Sequence, residues 1–233
     1  MKRLLVVILF LVLGPNLSLA QDYQKGLKAY QAGYYATALN EWIPLAEQGN
    51  ERLQAIIGWM YNEGKGVEKN ITEALKWYRL AAEQGNALGQ HYLGAMYYNG
   101  NVVSKDYYEA AKWYQLSAEQ GHSHAQNNLG YMYKEGQGVL KDYAEALKWY
   151  RLAAEQDAPL AQNNLGVMYE EGSGVLKDNL TAHMWYNIAS ANGIDKAAKN
   201  RDIVEDLMTP EDISKAMAMA RNCMKSKYKK CGY

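Results

Sequence analysis

Between Ala125 and Lys134 the apolar positions Ala125, Leu129, Met132 and Tyr133 fall at helical spacing, with polar residues between them. The stretch stops at Glu135-Gly136, where glycine supplies the left-handed cap that ends a helix. A short loop follows, Gln137-Gly138-Val139-Leu140-Lys141. Asp142, with Glu145 three residues on, then reads as a helix start of the capping-box kind. Ala146, Trp149, Tyr150 and Ala153 mark the buried stripe of this second helix. Asp106 with Glu109 and Asn70 with Glu73 repeat the start signal, while Asp178 is followed by Thr181 in place of Glu. The pattern predicts a helix hairpin.

The hairpin recurs. Trp77, Trp113, Trp149 and Trp185 stand 36 residues apart. Gly58, Gly94, Gly130 and Gly166 keep the same spacing, as do Tyr61, Tyr97, Tyr133 and Tyr169, and Met60, Met96, Met132 and Met168. Gly64, Gly100, Gly136 and Gly172 follow, then Ala74, Ala110, Ala146 and Ala182. Four units result: 50–85, 86–121, 122–157 and 158–193. A glycine in mid-helix costs about 1 kcal/mol against alanine, so its recurrence at Gly130 and its equivalents points to close approach by the partner helix. Val67, Val103, Val139 and Val175 read as loop anchors. Gly85, Gly121 and Gly193 close three of the second helices; the third unit has Asp157-Ala158-Pro159 there, and its turn is expected to differ. A hairpin of this kind cannot bury its apolar face alone, so stacking supplies the core. Residues 22–49 read as an opening hairpin with a tight turn near Gly33, and 194–233 as a helical cap with a basic tail. In that cap Asp195 to Met208 reads as one helix. Thr209 (N-cap) and Pro210 (first turn) start another, which runs to about Lys225.

The strings Ala125-Gln126-Asn127-Asn128-Leu129-Gly130-Tyr131-Met132-Tyr133, Gly136-Gln137-Gly138-Val139 and Trp149-Tyr150 with Ala153-Ala154-Glu155-Gln156 resemble Sel-1-like repeats, relatives of the tetratricopeptide repeat. The resemblance covers 50–193 strongly and 22–49 weakly; the second unit departs, with Asn101-Val102-Val103 lacking the second loop glycine. It implies an all-α fold, a right-handed superhelix (solenoid) of stacked helix hairpins, with a concave face lined by the first helices. It also implies adaptor roles in envelope assembly, signalling or host contact, without naming a partner.

Positions that vary between units point to a candidate surface. In the first helix they are Arg52, Ala55, Trp59 and Asn62; then Leu88, His91, Ala95 and Tyr98; then His124, Asn127, Tyr131 and Lys134; then Leu160, Asn163, Val167 and Glu170. Their offsets share one helical face, and a face free of the repeat's constraints is expected to point away from the core. Its aromatic and amide residues suit the capture of a protein or peptide segment.

At the N-terminus Lys2 and Arg3 precede the apolar run Leu4 to Leu13, Gly14-Pro15 breaks it, and Ser18-Leu19-Ala20 offers a cleavage site before Gln21. Residues 1–20 therefore read as a secretory signal, and the protein as exported, periplasmic or secreted; a membrane anchor is disfavoured because a spanning helix needs about 20 apolar residues. No later run is long enough to span. The 25 basic residues less Lys2 and Arg3 leave 23, against 25 acidic ones, a balance that does not call for nucleic acid or an anionic membrane. In an exported chain the two cysteines, Cys223 and Cys231, read as one disulfide pinning the last helix.

The sequence shows no His-Glu-x-x-His, Gly-x-Ser-x-Gly or phosphate-loop pattern, and calls for no cofactor or metal. His91, His122, His124 and His183 are scattered, and read as satisfied or solvated. Ser226-Lys227-Tyr228-Lys229 matches Ser-x-x-Lys of penicillin-recognising enzymes but lacks the companion motifs. The Glu-Gln pairs at 83–84, 119–120 and 155–156 are expected to be solvated. A non-enzymatic interaction scaffold is the first reading. A cell-wall or β-lactam-binding or hydrolysing protein, similar to cysteine-rich relatives of the repeat family, is the second, though the cysteine pair per repeat is missing.

Overall fold

The computed structural model describes residues 19–229 and 231. The expected signal segment lies outside the described residues except for 19 and 20, which open the first helix. The described residues form twelve helices and no strand: α1 (19–31), α2 (Tyr35–Glu47), α3 (Glu51–Glu63), α4 (Ile71–Glu83), α5 (Ala87–Asn99), α6 (Tyr107–Glu119), α7 (Ser123–Glu135), α8 (Tyr143–Ala154), α9 (Pro159–Glu171), α10 (Asn179–Ala191), α11 (Asp195–Glu205) and α12 (Pro210–Lys225). The chain divides into two compact units, Met1–Ser104 and Lys105–Tyr233. Helices α1 to α5 belong to the first unit and α6 to α12 to the second.

Each hairpin is closed by local hydrogen bonds. The first helices α3, α5, α7 and α9 end on Gly64, Gly100, Gly136 and Gly172, all left-handed, whose N–H groups donate to Met60, Met96, Met132 and Met168. The second helices start on side-chain caps: Asn70 Oδ1 accepts from Glu73 N, and Asp142 Oδ1 from Ala144 and Glu145 N. The expected return bond of a capping box gives way to another arrangement. The cap N–H groups of Asn70, Asp142 and Asp178 donate to the carbonyls of Tyr61, Tyr133 and Tyr169, across the hairpin. The Glu73, Glu109 and Glu145 carboxylates pair instead with Lys76, Lys112 and Lys148 one turn on.

Close packing explains the mid-helix glycine. A methyl group on Gly58, Gly130 or Gly166 would lie 2.7, 2.8 and 2.5 Å from the ring of Tyr78, Tyr150 or Tyr186. Those three rings are fully buried. The second loop glycine works between hairpins: a side chain on Gly138 would strike the backbone of Tyr107, and one on Gly66 that of Tyr35 and Ala36. Of the four expected loop anchors, Val67 and Val103 pack against buried clusters of the first unit and Val175 against that of the second.

A polar seam accompanies the apolar one. Gln54, Gln90 and Gln126 are buried and donate through Nε2 to the carbonyls of Ala46, Ala82 and Ala118 in the preceding helix, at 2.9, 3.3 and 3.1 Å. Gln84 and Gln156, at the ends of the second helices, donate in turn to Gln54 and Gln126 Oε1 at 2.7 and 2.8 Å. Gln84 and Gln156 thus tie the end of a hairpin to its own first helix while staying exposed, as expected of the Glu-Gln pairs, and Gln120 is exposed likewise. A carbonyl left bare between packed helices costs more than the side-chain order needed to cap it.

The last repeat departs where the chain covers it. Glu145, Lys148 and Leu152 on α8 correspond to Thr181, Met184 and Ile188 on α10. The α10 residues are buried, with Met184 and Ile188 in the same core cluster as Ala220 and Cys223 of α12. Helix α12 covers this face, so an ion pair there has been replaced by apolar groups. Thr209 caps α12, accepting from Asp212 N at 3.2 Å, and Pro210 fills its first turn. The Cys223–Cys231 disulfide is present and closes the chain beyond α12. The third unit's turn keeps the shape of the others. Asp157 takes the left-handed conformation itself (φ 60°), and the Asp157 and Ala158 N–H groups bond to Ala154 and Ala153 as Gly85 and Asn86 do to Ala82 and Ala81. Aspartate tolerates this conformation better than most residues, and its carboxylate accepts from Asn192 Nδ2 at 2.6 Å and Gln162 Nε2 at 3.2 Å.

Two outcomes are expected. Gly166→Ala, forced against Tyr186, lowers the unfolding free energy by about 1–3 kcal/mol, read as a fall in urea midpoint. Cys231→Ser lowers it by about 2–3 kcal/mol on the loop-entropy estimate, and reductant applied to the wild type under denaturing conditions reproduces the loss.

Candidate interaction face

The residues singled out along the first helices do not share one fate. Ala55, Asn127 and Asn163 are buried, which corrects the expectation of a uniformly solvated face. The helices neighbouring in space overlie these positions, because consecutive hairpins pack closely enough to cover one row of the variable stripe. Trp59 is half-buried and packs in the core with Tyr30, ring centroids 6.4 Å apart. Its size serves packing more than contact. Arg52 is exposed, and Asn62 Nδ2 donates to Glu63 at 2.7 Å. His91 and Tyr98 are half-buried; the His91 ring lies 5.1 Å from Tyr92, which stacks on Tyr78 at 4.7 Å. Leu88 and Ala95 are likewise half-buried.

In the second unit the same positions form a ladder of amides. Asn164 Nδ2 on α9 donates to Asn127 Oδ1 on α7 at 3.0 Å, and Asn200 Nδ2 on α11 reaches Asn163 Oδ1 on α9 at 3.4 Å. Asn127 Nδ2 lies 3.4 Å from Asn128 Oδ1. Asn128, Asn164 and Asn200 are half-buried, so the ladder keeps an accessible side. Beside it Tyr131 is 39% exposed, Leu160 is exposed and Val167 is half-buried. Toward the C-terminal ends of the helices, Lys134 Nζ pairs with Glu171 at 3.1 Å, and Glu170 accepts from the buried Tyr186 hydroxyl. Toward their start, His124 is exposed and His122 caps α7, its Nδ1 accepting from Ala125 N at 3.3 Å. Burial, and then the neighbouring His124, lower the His122 pKa from its ordinary value. Asn128, Asn164 and Asn200 were not singled out in the sequence, although the doubled Asn127-Asn128 and Asn163-Asn164 at one repeat's spacing was a readable signal.

Elsewhere the polar groups are structural. His183 is buried, with Nε2 2.7 Å from Glu205 and no partner at Nδ1. The Ser226 hydroxyl donates to the Cys223 carbonyl at 2.7 Å, inside the end of α12. No group of three or more His, Cys, Asp or Glu side chains that could hold a metal is found among the described residues.

The helix hairpins and their seams match a known family. The Sel1 repeat matches residues 53–86, 87–122, 123–157 and 159–194. The chain belongs to the Sel1 repeat family. Its structure is similar to the Sel1 repeat protein of Oxalobacter formigenes, at 40% identity and TM-score 0.71, over 76% of this chain and 70% of that one. It is also similar to c5321, a protective antigen present in uropathogenic Escherichia coli strains, at 31% identity and TM-score 0.55. That match covers 83% of this chain and half the length of the antigen. A Sel1 repeat protein from Klebsiella pneumoniae shares the fold at 20% identity and TM-score 0.52, over 80% of this chain and 93% of that one. No curated protein matches the chain. The fold is thus the all-α helix-hairpin solenoid of solved Sel1 repeat proteins. Sel1 repeat proteins serve in general as protein-interaction scaffolds. Among the described residues no helix is long and apolar enough to cross a membrane.

Burial, above all, raises the Tyr78, Tyr150 and Tyr186 phenols well above their ordinary value of 10.0. The folded state then holds protons that the unfolded state releases above about pH 10, so stability falls as pH rises beyond that point. In an alkaline titration followed at 295 nm, these three tyrosines are expected to ionise only together with unfolding, seen as a loss of helical circular dichroism.

Proposed function

We propose that this Sel1 repeat protein is an exported, non-enzymatic adaptor, and that the first-helix face of its second unit holds an extended segment of a partner protein. The observation that carries this reading is the asparagine ladder across α7, α9 and α11. Side-chain amides offer both a donor and an acceptor, the same pair that an extended backbone presents at every residue. A row of them on a rigid helical support can bond a peptide main chain whatever its sequence. Tyr131 alongside supplies a rigid aromatic surface for a side chain of the partner. The Lys134–Glu171 pair at one end and exposed His124 at the other offer charged contacts that select among segments. Because Ala55 and Trp59 contribute to packing, the first unit gives less surface of this kind.

Export is supported by the charged start and apolar run of residues 1–20, and by the disulfide, which persists in oxidising compartments. The partner is then an envelope or extracellular protein.

The test is capture from envelope extract on the immobilised chain, followed by titration with a peptide cut from the captured protein. Asn164→Ala with Tyr131→Ala is expected to weaken the peptide at least tenfold, with the helical signal retained and the melting temperature modestly lowered because Asn127 Oδ1 loses its donor. Peptide affinity unchanged in that variant would refute the face. Turnover of a chromogenic β-lactam by the wild type, abolished by Ser226→Ala, would refute the non-enzymatic reading.

A further inference from the structure

In the second unit the loops between first and second helices hold two leucines away from the protein. Leu140 is 90% exposed and Leu176 is 91% exposed. The loops that present them are tightly built. Gly136 and Gly138, and Gly172 and Gly174, are left-handed. Gly138 lies against the backbone of Tyr107, and Gly174 against Tyr143. Val139 and Val175 turn partly inward, so the next residue is directed outward by the backbone. The repeat itself does not ask for leucine there, because the first two units carry Glu68 and Ser104 at the same place.

We propose that this edge of the second unit touches a lipid surface, with Leu140 and Leu176 entering the boundary between headgroups and acyl chains, and Lys141 and Lys177 lying against anionic headgroups. The leucines protrude and touch almost nothing. A protein partner would need a fitted pocket for each of them, whereas a fluid hydrocarbon boundary accepts protruding apolar side chains without one. An exposed lysine follows each leucine. Lys141 folds its ammonium back to 4.8 Å from the Tyr143 ring, below the leucine tip, at the level that headgroups would occupy. The adjoining carboxylates oppose this little: Asp142 and Asp178 are engaged with the first N–H groups of α8 and α10, and Glu171 is paired with Lys134. Glu135 stays exposed nearby. With the chain's overall charge near balance, attraction comes from this edge alone. Two leucines and two lysines make a weak, reversible contact that favours anionic lipid.

Hydrogen–deuterium exchange on the full chain tests this, with vesicles of phosphatidylcholine alone and of phosphatidylcholine with phosphatidylglycerol. Slowed exchange is expected in residues 137–142 and 173–178 on the anionic vesicles only. In Leu140→Ser with Leu176→Ser that protection is expected to disappear, while the melting curve stays unchanged because the replaced side chains touch almost nothing. The readout is local, so residues 1–20, identical in both chains, do not decide it. Asn164→Ala should leave the protection intact, which separates this edge from the amide face. Loops unprotected on anionic vesicles, or protected equally in the serine variant, would overturn the proposal. So would protection that appears without lipid as protein concentration rises, which would mark contact between copies.

Discussion

The structure depends on a tyrosine ring lying against a glycine. Within a hairpin, the second helix can approach the first only where the first has no side chain. Gly58, Gly130 and Gly166 provide that gap, and Tyr78, Tyr150 and Tyr186 fill it. The ring excludes water over a wide area, and its burial outweighs the roughly 1 kcal/mol that a mid-helix glycine costs. The Tyr78 and Tyr150 hydroxyls are left buried without a partner. That loss is accepted because the shape of the contact fixes how close the two helices lie. The distance between helices in turn decides which side chains of the first helix remain at the surface.

A second level of order ties one hairpin to the next. The buried glutamines bridge to the preceding helix and receive the terminal glutamine of their own hairpin. Asparagines add a parallel row in the second unit. Amides suit both tasks because one group donates and accepts at once, so equivalent residues can link in series along a stack. A row that serves cohesion on its buried side can serve recognition on its open side. This is the physical basis for proposing an interaction face there, and it explains why the variable positions are not all free.

Variation along the repeat has two causes that look alike in sequence. At Thr181, Met184 and Ile188 the repeat changes because α12 covers that face, and polar pairs give way to apolar contacts. At Leu140 and Leu176 it changes although the loop geometry is kept and nothing covers the side chain. The first kind of departure is explained by packing inside the chain. The second has no internal explanation, and so points outward.

Periodicity alone determined the hairpins, their left-handed glycine ends and their capped starts, because each depends on residues within a few positions of one another. The clash that forbids a side chain at the mid-helix glycine was legible too, since a locally costly residue recurring at one position implies a steric cause. The disulfide followed from two cysteines at one end of the chain. What lies between hairpins was not legible. Whether Asn127 and Asn163 faced water, and what holds Asp157 in place of the glycine, depend on groups some 35 residues or more away in sequence. Local preference cannot report them: an amide is equally stable in water and in a seam that satisfies it, and only the packed neighbour decides which environment it meets.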